Sequence, residues 1–180
     1  MSVAWEIDRA GGIVAYVLLS AAVLVGLLVS GRAPVSWPRF AVDEVHRYLG
    51  ILAGVFIAIH VVATLAAGLT VAQATDPFTH AYGGIWTGIG VAATELLVAL
   101  AVTNRLRHRI PHGLWRRAHM LNLLVWLGAT AHGLGSGGSH APGLFVFVEA
   151  AIAVLVAVAL AWRVGVGFEP WRRQPSSESS

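Results

Sequence analysis

The sequence contains no cysteine and no lysine, and charged residues make up only 12% of its 180 positions. The absence of cysteine excludes disulfide bonds, thiolate metal sites, iron–sulfur ligation and covalent haem attachment through a Cys-x-x-Cys-His motif. Any metal bound by this chain must therefore be held by histidine, methionine or oxygen ligands. The formal charge of +3 comes from twelve arginines against nine acidic residues, and the placement of the arginines is informative.

Hydrophobic residues, by contrast, make up 57% of the sequence and occur in long runs, which is typical of integral membrane proteins. Membrane-spanning segments and short loops account for nearly the whole chain, so a soluble catalytic domain is not expected. We predict one transmembrane domain over residues 1–168 and a disordered cytoplasmic tail over residues 169–180, where the sequence is rich in serine.

Five apolar segments are each long enough, at about 1.5 Å per residue, to cross a hydrocarbon core about 30 Å thick. The predicted fold class is an all-α integral membrane protein, a bundle of five transmembrane helices. A cleavable signal peptide is the competing interpretation of the first segment, but its apolar run is full length and the residues before it are mixed in charge. The five segments cover residues 11–30, 42–68, 85–103, 114–133 and 143–164.

The arginines indicate the orientation of these helices. With five spans, eleven of the twelve arginines fall on one side of the membrane and Arg9 alone falls on the other. Because cytoplasmic loops carry an excess of arginine, the positive-inside rule predicts an N-terminus outside and a C-terminus in the cytoplasm. We expect a multi-pass protein of a cell membrane, and a bacterial inner membrane in particular.

Four histidines lie within the second and fourth predicted helices, and their spacing is matched. His46 and His60 are fourteen residues apart, and His119 and His132 are thirteen apart, which corresponds to about 21 and 20 Å along a helix. Both helices are predicted to run from the cytoplasmic side outward. We therefore predict two pairs at shared depths, His46 with His119 and His60 with His132.

Histidine is costly inside a membrane span unless it is paired or bound to a ligand, so these side chains indicate a functional site. Zinc or copper requires three or four ligands at one point, which two levels about 20 Å apart do not offer. Two haems, each held axially by one pair, can use this arrangement. Thirteen residues leave His119 and His132 about 140° apart around an ideal helix. The fourth helix must therefore tilt, unwind locally or present its two rings to different sides, which Gly128 and Gly133 could permit.

The sequence resembles the ferric-reductase-like transmembrane domain, the haem module of ferric reductases, NADPH oxidases and the membrane haem subunit of periplasmic methionine sulfoxide reductase. The resemblance rests on RAGGIVAYVLL at the start of helix one, on the spacing of fourteen in helix two, and on WRRAH with the spacing of thirteen that ends in GATAHG. It extends over roughly residues 9–164. It implies two haem b groups, an inner one on His46 and His119 and an outer one on His60 and His132, and electron transfer across the membrane.

Larger members of this family carry an additional N-terminal helix and a cytosolic flavin- and nicotinamide-binding domain. This sequence has no glycine-rich phosphate loop in a strand–turn–helix setting, so we expect a separate electron donor, either a cytoplasmic flavin reductase or a quinol. The acceptor at the outer face stays open: a ferric chelate, oxygen, a quinone or a periplasmic protein. No nucleic-acid partner is expected.

Four further residues are candidates for holding the haems. Arg47 and Arg116 lie beside the inner histidines and Arg9 opens helix one on the outer side, where guanidinium groups could meet the haem propionates. Ordinary anchoring at the cytoplasmic surface is the alternative for Arg47 and Arg116. Trp126, midway along helix four, could lie between the haems, although a packing aromatic is the favoured interpretation.

Glu95 and Glu149 fall within the third and fifth predicted helices, where a carboxylate is costly in lipid and must face the bundle. A role in proton transfer or at a quinone site and a structural role both stay open. His80 and His140 lie in predicted outer loops and could place a metal or an acceptor near the outer haem, although solvated loop histidines are the favoured interpretation.

The favoured function is a di-haem b-type electron-transfer protein, the haem-binding component of an oxidoreductase system. A quinone-linked cytochrome b that anchors an oxidoreductase complex shares the haems and is the first alternative. The second is a haem-free metal or proton transporter in which the histidines and Glu95 would form a relay. Transporters often show interrupted helices in pairs, and the sequence has no clear pair of them.

Overall fold

The chain folds into helices joined by short connections, and the part of it described by the computed structural model contains no β-strand. The predicted all-α class is therefore confirmed. The described residues are 2–30, 38–79, 84–137 and 143–167, so the predicted tail lies outside them. The helices are α1 (Val3–Ser30), α2 (Arg39–Ala66), α3 (Val71–Thr75), α4 (Ile85–Arg105), α5 (His112–Met120), α6 (Asn122–Gly137) and α7 (Gly143–Gly167), with a 3₁₀ turn at Arg107–Arg109.

Four helices of the described ranges, α1, α2, α4 and α7, have the length and apolar composition needed to cross a membrane. They identify a multi-pass membrane protein. The stretch predicted as one helix over residues 114–133 differs from expectation, because it forms two helices, α5 and α6, that meet at Leu121.

The break at Leu121 has a local cause in the backbone hydrogen bonds. The Leu121 N–H donates to the carbonyl of Ala118, three residues back, at 2.9 Å, and the Leu124 N–H donates to the carbonyl of Leu121, also at 2.9 Å. Such 3₁₀ turns advance about 120° per residue instead of about 100°. They add rotation between the two histidines of this segment, so the departure from an ideal helix occurs at Leu121, as a locally tighter winding, and not at Gly128 or Gly133.

The first helix starts at Val3, eight residues earlier than predicted, and this extension brings a charged residue, Asp8, into the bundle. Asp8 is buried within α1, where the side chains of His60 and Thr64 from α2 contact its carboxylate. Because these neighbours satisfy the carboxylate, the helix tolerates a charge that sequence reasoning placed outside the span.

α1 is the most buried of the spanning helices and forms the centre of the bundle. It packs along α2 and also contacts α6 and α7, while α4 packs mainly on α6. Its buried side chains recur every three or four residues, which is the spacing of one helix face. They join residues of α2, α4, α6 and α7 in one core: Tyr16, Leu19, Val23, Leu27, Ala53, Leu100, Val125, Trp126 and Val156.

The outer surface of the bundle is apolar, as expected where lipid replaces water as the solvent. Large hydrophobic side chains such as Val55 and Val62 on α2 and Val154 on α7 are exposed. In the core, by contrast, the buried polar groups Ser20 and Trp126 satisfy each other, because the Trp126 indole N–H donates to Ser20 Oγ at 2.9 Å. Burial of apolar surface contributes little to helix association in lipid, so hydrogen bonds of this kind hold neighbouring helices together.

The connection between α2 and α4 contains the short helix α3 in its described part. Gly68 adopts a positive φ of 116° just after α2. Thr70 then caps α3, since its hydroxyl accepts from the Gln73 backbone N–H and the Gln73 side chain accepts from the Thr70 N–H. This short helix lies beside a cavity that is described below.

The packing of α4 against α6 predicts different consequences for two glycine-to-alanine substitutions. A β-carbon at Gly128 would lie 2.9 Å from the β-carbon of Ala93, whereas one at Gly50 would meet nothing within 4 Å. We expect Gly128→Ala to lower the free energy of unfolding by about 1–3 kcal/mol through overpacking. Gly50→Ala should be neutral or stabilising by up to about 1 kcal/mol, because alanine is the better helix former. Thermal unfolding in detergent measures both, and equal stability of the two variants would contradict the contact.

Candidate functional site

The structure brings the four histidines of the second and fourth predicted helices together in two pairs. The ring centroids of His46 on α2 and His119 on α5 are 6.0 Å apart, with an interplanar angle of 76°. Those of His60 on α2 and His132 on α6 are 6.1 Å apart, with an angle of 66°. The pairs thus join the helices that the shared depths predicted, and fourteen residues of α2 separate their levels by about 21 Å.

Three of the four rings are fixed by a hydrogen bond from Nδ1 to a backbone carbonyl of a neighbouring helix. His46 bonds to Ala22 at 2.9 Å, and His60 bonds to Asp8 at 2.9 Å. His132 bonds to Trp86 of α4 at 2.8 Å. A carbonyl only accepts, so Nδ1 carries the proton and Nε2 keeps its lone pair.

Each of these three rings also lies against a glycine four residues after its carbonyl. A β-carbon at Gly26 would lie 3.0 Å from the His46 ring, and one at Gly12 would lie 3.1 Å from His60 Nδ1. At Gly90 a β-carbon would lie only 2.6 Å from His132 Nδ1. In a helix the side chain of residue i+4 covers the turn that precedes it, so glycine there exposes the carbonyl of residue i.

These glycines were missed by sequence reasoning, although the sequence carries a signal for them. Gly12 and Gly26 are fourteen residues apart, the same interval that separates His46 from His60 on the facing helix. On α4 the interval is not repeated, because the residue fourteen positions after Gly90 is an asparagine.

The fourth ring, His119, is held differently. It stacks on Trp115, one turn earlier on α5, with centroids 5.3 Å apart and an interplanar angle of 22°. Its Nδ1 lies 3.4 Å from the side-chain amide of Asn122, and that amide also donates to the His119 carbonyl at 2.8 Å. Within the described part of the chain, His119 therefore lacks the interhelical carbonyl bond that fixes the other three rings.

Asp8 is a second residue that sequence reasoning missed. Its Oδ1 lies 2.9 Å from His60 Nδ1 and also accepts a hydrogen bond from the Thr64 hydroxyl. The residue is only 8% exposed. The His60 Nδ1–H thus donates to the backbone carbonyl of Asp8, and the carboxylate of the same residue lies at ion-pair distance from the same nitrogen.

A cavity of about 610 Å³ opens beside the pair formed by His60 and His132. Its volume lies within the range of about 300–1,000 Å³ that is typical of ligand sites. The polar and charged groups around it include Asp8, Arg9 and Glu149. Because Gly12 and Gly90 also line it, side chains of normal size are absent where the rings enter.

The two membrane carboxylates have different positions. Glu149 is 1% exposed, lies against Gly133, and neither carboxylate oxygen has a hydrogen-bond partner among the residues described. Glu95 is exposed on α4, so the expectation that it faces the bundle is wrong: its position on the helix points away from the contact with α6. His80 and His140 lie outside the described residues.

The four other predicted haem contacts lie in separate surroundings. Arg47 is exposed and forms an ion pair with Glu44 at 2.6 Å. Arg116 is exposed and lines a smaller cavity of about 360 Å³ with Arg117. Arg9 lines the large cavity, and Trp126 is buried on α6 between the levels of the two pairs. Their predicted contacts to haem stay predictions.

Each level of the bundle offers two candidate metal ligands, one from each histidine of the pair. In the described ranges, no group of three or more His, Asp and Glu side chains is placed to hold a metal ion. Each level brings two imidazole side chains together, and the Nε2 lone pairs of His46, His60 and His132 are free to bind a metal.

A comparison with known families agrees with this geometry. The family model described as ferric reductase like transmembrane component matches residues 11–130. The match covers two thirds of the chain and includes His46, His60 and His119, and it ends two residues before His132. No curated protein and no solved structure matches the sequence.

The glycine contacts predict how the cavity beside His60 and His132 responds to small substitutions. Gly90→Ala should push the His132 ring off the Trp86 carbonyl and remove about half of any haem that the chain binds, measured by pyridine haemochrome assay. Gly12→Ala should cause a smaller loss, because its β-carbon would be farther from the ring. Gly54→Ala is the matched control, since a β-carbon there meets nothing within 4 Å. Full haem content with an unchanged spectrum in Gly90→Ala would show that the ring does not depend on the glycine.

Proposed function

The chain belongs to the ferric reductase-like transmembrane component family, and we propose that it is a di-haem b-type protein that carries single electrons across a membrane. The family membership supports a membrane electron-transfer module. The finer statement, two haems held by His46 with His119 and by His60 with His132, rests on the geometry of the two histidine pairs.

The separation of the paired rings carries this proposal. If the two histidines of a pair held one metal between them, at the distance of about 2.0–2.1 Å usual for a nitrogen ligand, their ring centroids would lie roughly 6 Å apart. The measured separations are 6.0 and 6.1 Å. Two histidines in hydrogen-bond contact with each other would not repeat this separation at two levels of the bundle.

The surroundings of the rings also fit haem. The carbonyl bonds of His46, His60 and His132 leave Nε2 free to bind iron and fix the direction of each ring. The cavity beside His60 and His132 is mostly apolar at its walls, with Arg9 available to a propionate. When bound, each haem supplies a ferric–ferrous couple, so no general acid, base or nucleophile is required of the chain.

The direction of transfer follows from the proposed topology. We take α5 and α6 together as one crossing, the fourth of five in chain order, which places the N-terminus outside, the C-terminus in the cytoplasm and the His46–His119 pair on the cytoplasmic side. Arginines are concentrated on that side, at the end of α4, in the 3₁₀ turn and on α5: Arg105, Arg107, Arg109, Arg116 and Arg117.

This arginine surface suits an electron donor with an acidic face. A cytoplasmic flavoprotein that docks there would bring its flavin close to His46 and His119, and long-range attraction would speed the encounter. A quinol is the other donor, and the acceptor meets the His60–His132 level at the outer face. The buried polar pair Ser20 and Trp126 fills the space between the levels with protein instead of lipid or water.

Stoichiometry and pairing test the proposal directly. The purified chain should contain two b-type haems by pyridine haemochrome assay. His46→Leu and His119→Leu should each remove or perturb the same haem, and His60→Leu and His132→Leu should each remove or perturb the other, because each substitution takes away one of the two ligands of a single iron. His108→Leu, an exposed histidine outside both pairs, is the control that should keep both haems.

Two results would contradict it. One haem or none at saturation would end the di-haem proposal. Losses grouped by helix, with His46→Leu and His60→Leu alike, would refute the pairing.

The proposed donor surface predicts how these 180 residues behave as a purified protein. Dithionite should reduce both haems, while NADH or NADPH alone should leave them oxidised until a separate flavin reductase or a quinol is added. Reduction by the flavin reductase should slow severalfold at high salt, and Arg116→Gln with Arg117→Gln should slow it at low salt. Asp76→Asn, on the opposite face, should not. Reduction by NADPH in a preparation free of flavin and other proteins would overturn the need for a separate donor.

A further inference from the structure

We propose that Asp8 is a positioning residue for the outer haem, and that its carboxylate makes this haem the one of lower reduction potential. The inference rests on the proposed function, because it assumes that His60 binds a haem iron through Nε2. It concerns a residue that does not touch the iron and acts through the imidazole between them.

The contact is short, buried and built from two helices. Asp8 Oδ1 lies 2.9 Å from His60 Nδ1, and the Thr64 hydroxyl donates to the same oxygen. Thr64 Oγ1 also lies 2.8 Å from the His60 carbonyl oxygen one turn earlier, so the single hydroxyl proton lies between two acceptors and the hydroxyl is held in place. With only 8% of Asp8 exposed, little solvent screens the carboxylate from the ring.

The other three rings lack such a partner, and this difference makes the inference specific. His46 and His132 each bond to a neutral backbone carbonyl. His119 contacts only the Asn122 amide through Nδ1, at 3.4 Å. Among the described residues, His60 is therefore the one of the four whose Nδ1 meets a carboxylate.

A carboxylate partner changes the electronic character of a metal-bound imidazole. A hydrogen bond from Nδ1–H to an anion raises the basicity of the ligating nitrogen more than one to a neutral carbonyl. A more basic ligand stabilises ferric over ferrous iron, and the buried negative charge acts in the same direction. The reduction potential at the His60–His132 level therefore falls below that at the His46–His119 level, where no carboxylate contacts a ring in the described part.

The consequence for function lies at the exit of the electron path. A lower potential at the outer level makes the electron there a stronger reductant toward the acceptor. The charge of Arg9, which lines the same cavity, is available to a propionate and does not contact Asp8 in any hydrogen bond or ion pair of the described residues.

Asp8→Asn separates the charge from the shape, because asparagine keeps an oxygen that can accept from His60 and has nearly the same size. In a potentiometric titration of the full chain with both haems bound, we expect the lower-potential component to move upward. At a fixed ambient potential its reduced-to-oxidised ratio should rise roughly tenfold. The higher-potential component is the internal control and should not move. Glu6→Gln removes an exposed carboxylate half a turn away on α1 and should move neither component.

The outcomes are separable from those of the proposed function. A chain without haem fails the proposed function, whereas two haems with no shift in Asp8→Asn, or with an equal shift in Glu6→Gln, overturn the role of Asp8. If Asp8→Asn loses the outer haem, the reduction potentials are compared in two variants that keep Asp8 and bind one haem each. His119→Leu then reports the outer potential and His132→Leu the inner one, and an outer value equal to or above the inner value overturns the inference.

Discussion

The hydrogen bond from a histidine Nδ1–H to the backbone carbonyl of a facing helix is the interaction on which the site depends. A helical carbonyl accepts one bond from the N–H four residues later, and its second lone pair is normally covered by the side chain of that later residue. Gly12, Gly26 and Gly90 uncover it. The ring can then enter the groove of α1 or α4, so one contact sets the distance between two helices, the tautomer of the ring and the direction of Nε2.

Lipid makes these contacts more decisive than they would be in water. The outside of the bundle is apolar, and helices gain little from burying one apolar surface against another when the solvent is itself apolar. Polar contacts and close packing must therefore hold α1 to α2 and α4 to α6. Most buried polar groups follow this rule: Asp8 meets His60 and Thr64, and Ser20 meets Trp126. Glu149 is the exception, since its oxygens find no partner in the described ranges.

The two histidine pairs have nearly the same ring separation, but they differ in the contacts that hold the rings. Both rings of the His60–His132 pair bond to carbonyls, a carboxylate adds to one of them, and a cavity adjoins both. At the other level, one ring bonds to a carbonyl and His119 stacks on a tryptophan of its own short helix. The first level therefore has more contacts that orient its rings, and the second adjoins the arginine-rich surface. Such a division suits a path with docking at one end and a fixed exit at the other.

The sequence by itself determined the membrane environment, the all-α class, the family and the pairing of histidines by depth, because these depend on composition and on spacing along one helix. Hydropathy is a property of the linear sequence, and folding does not change it. The same holds for the intervals between His46 and His60 and between His119 and His132. Tertiary structure alone decided the break at Leu121, the exposed position of Glu95 and the roles of Asp8 and the glycines. Each of these depends on which side chain of a neighbouring helix arrives at a given turn. Asp8 shows the reason: along the chain it is a charge before an apolar run, and only the approach of α2 turns it into the partner of His60.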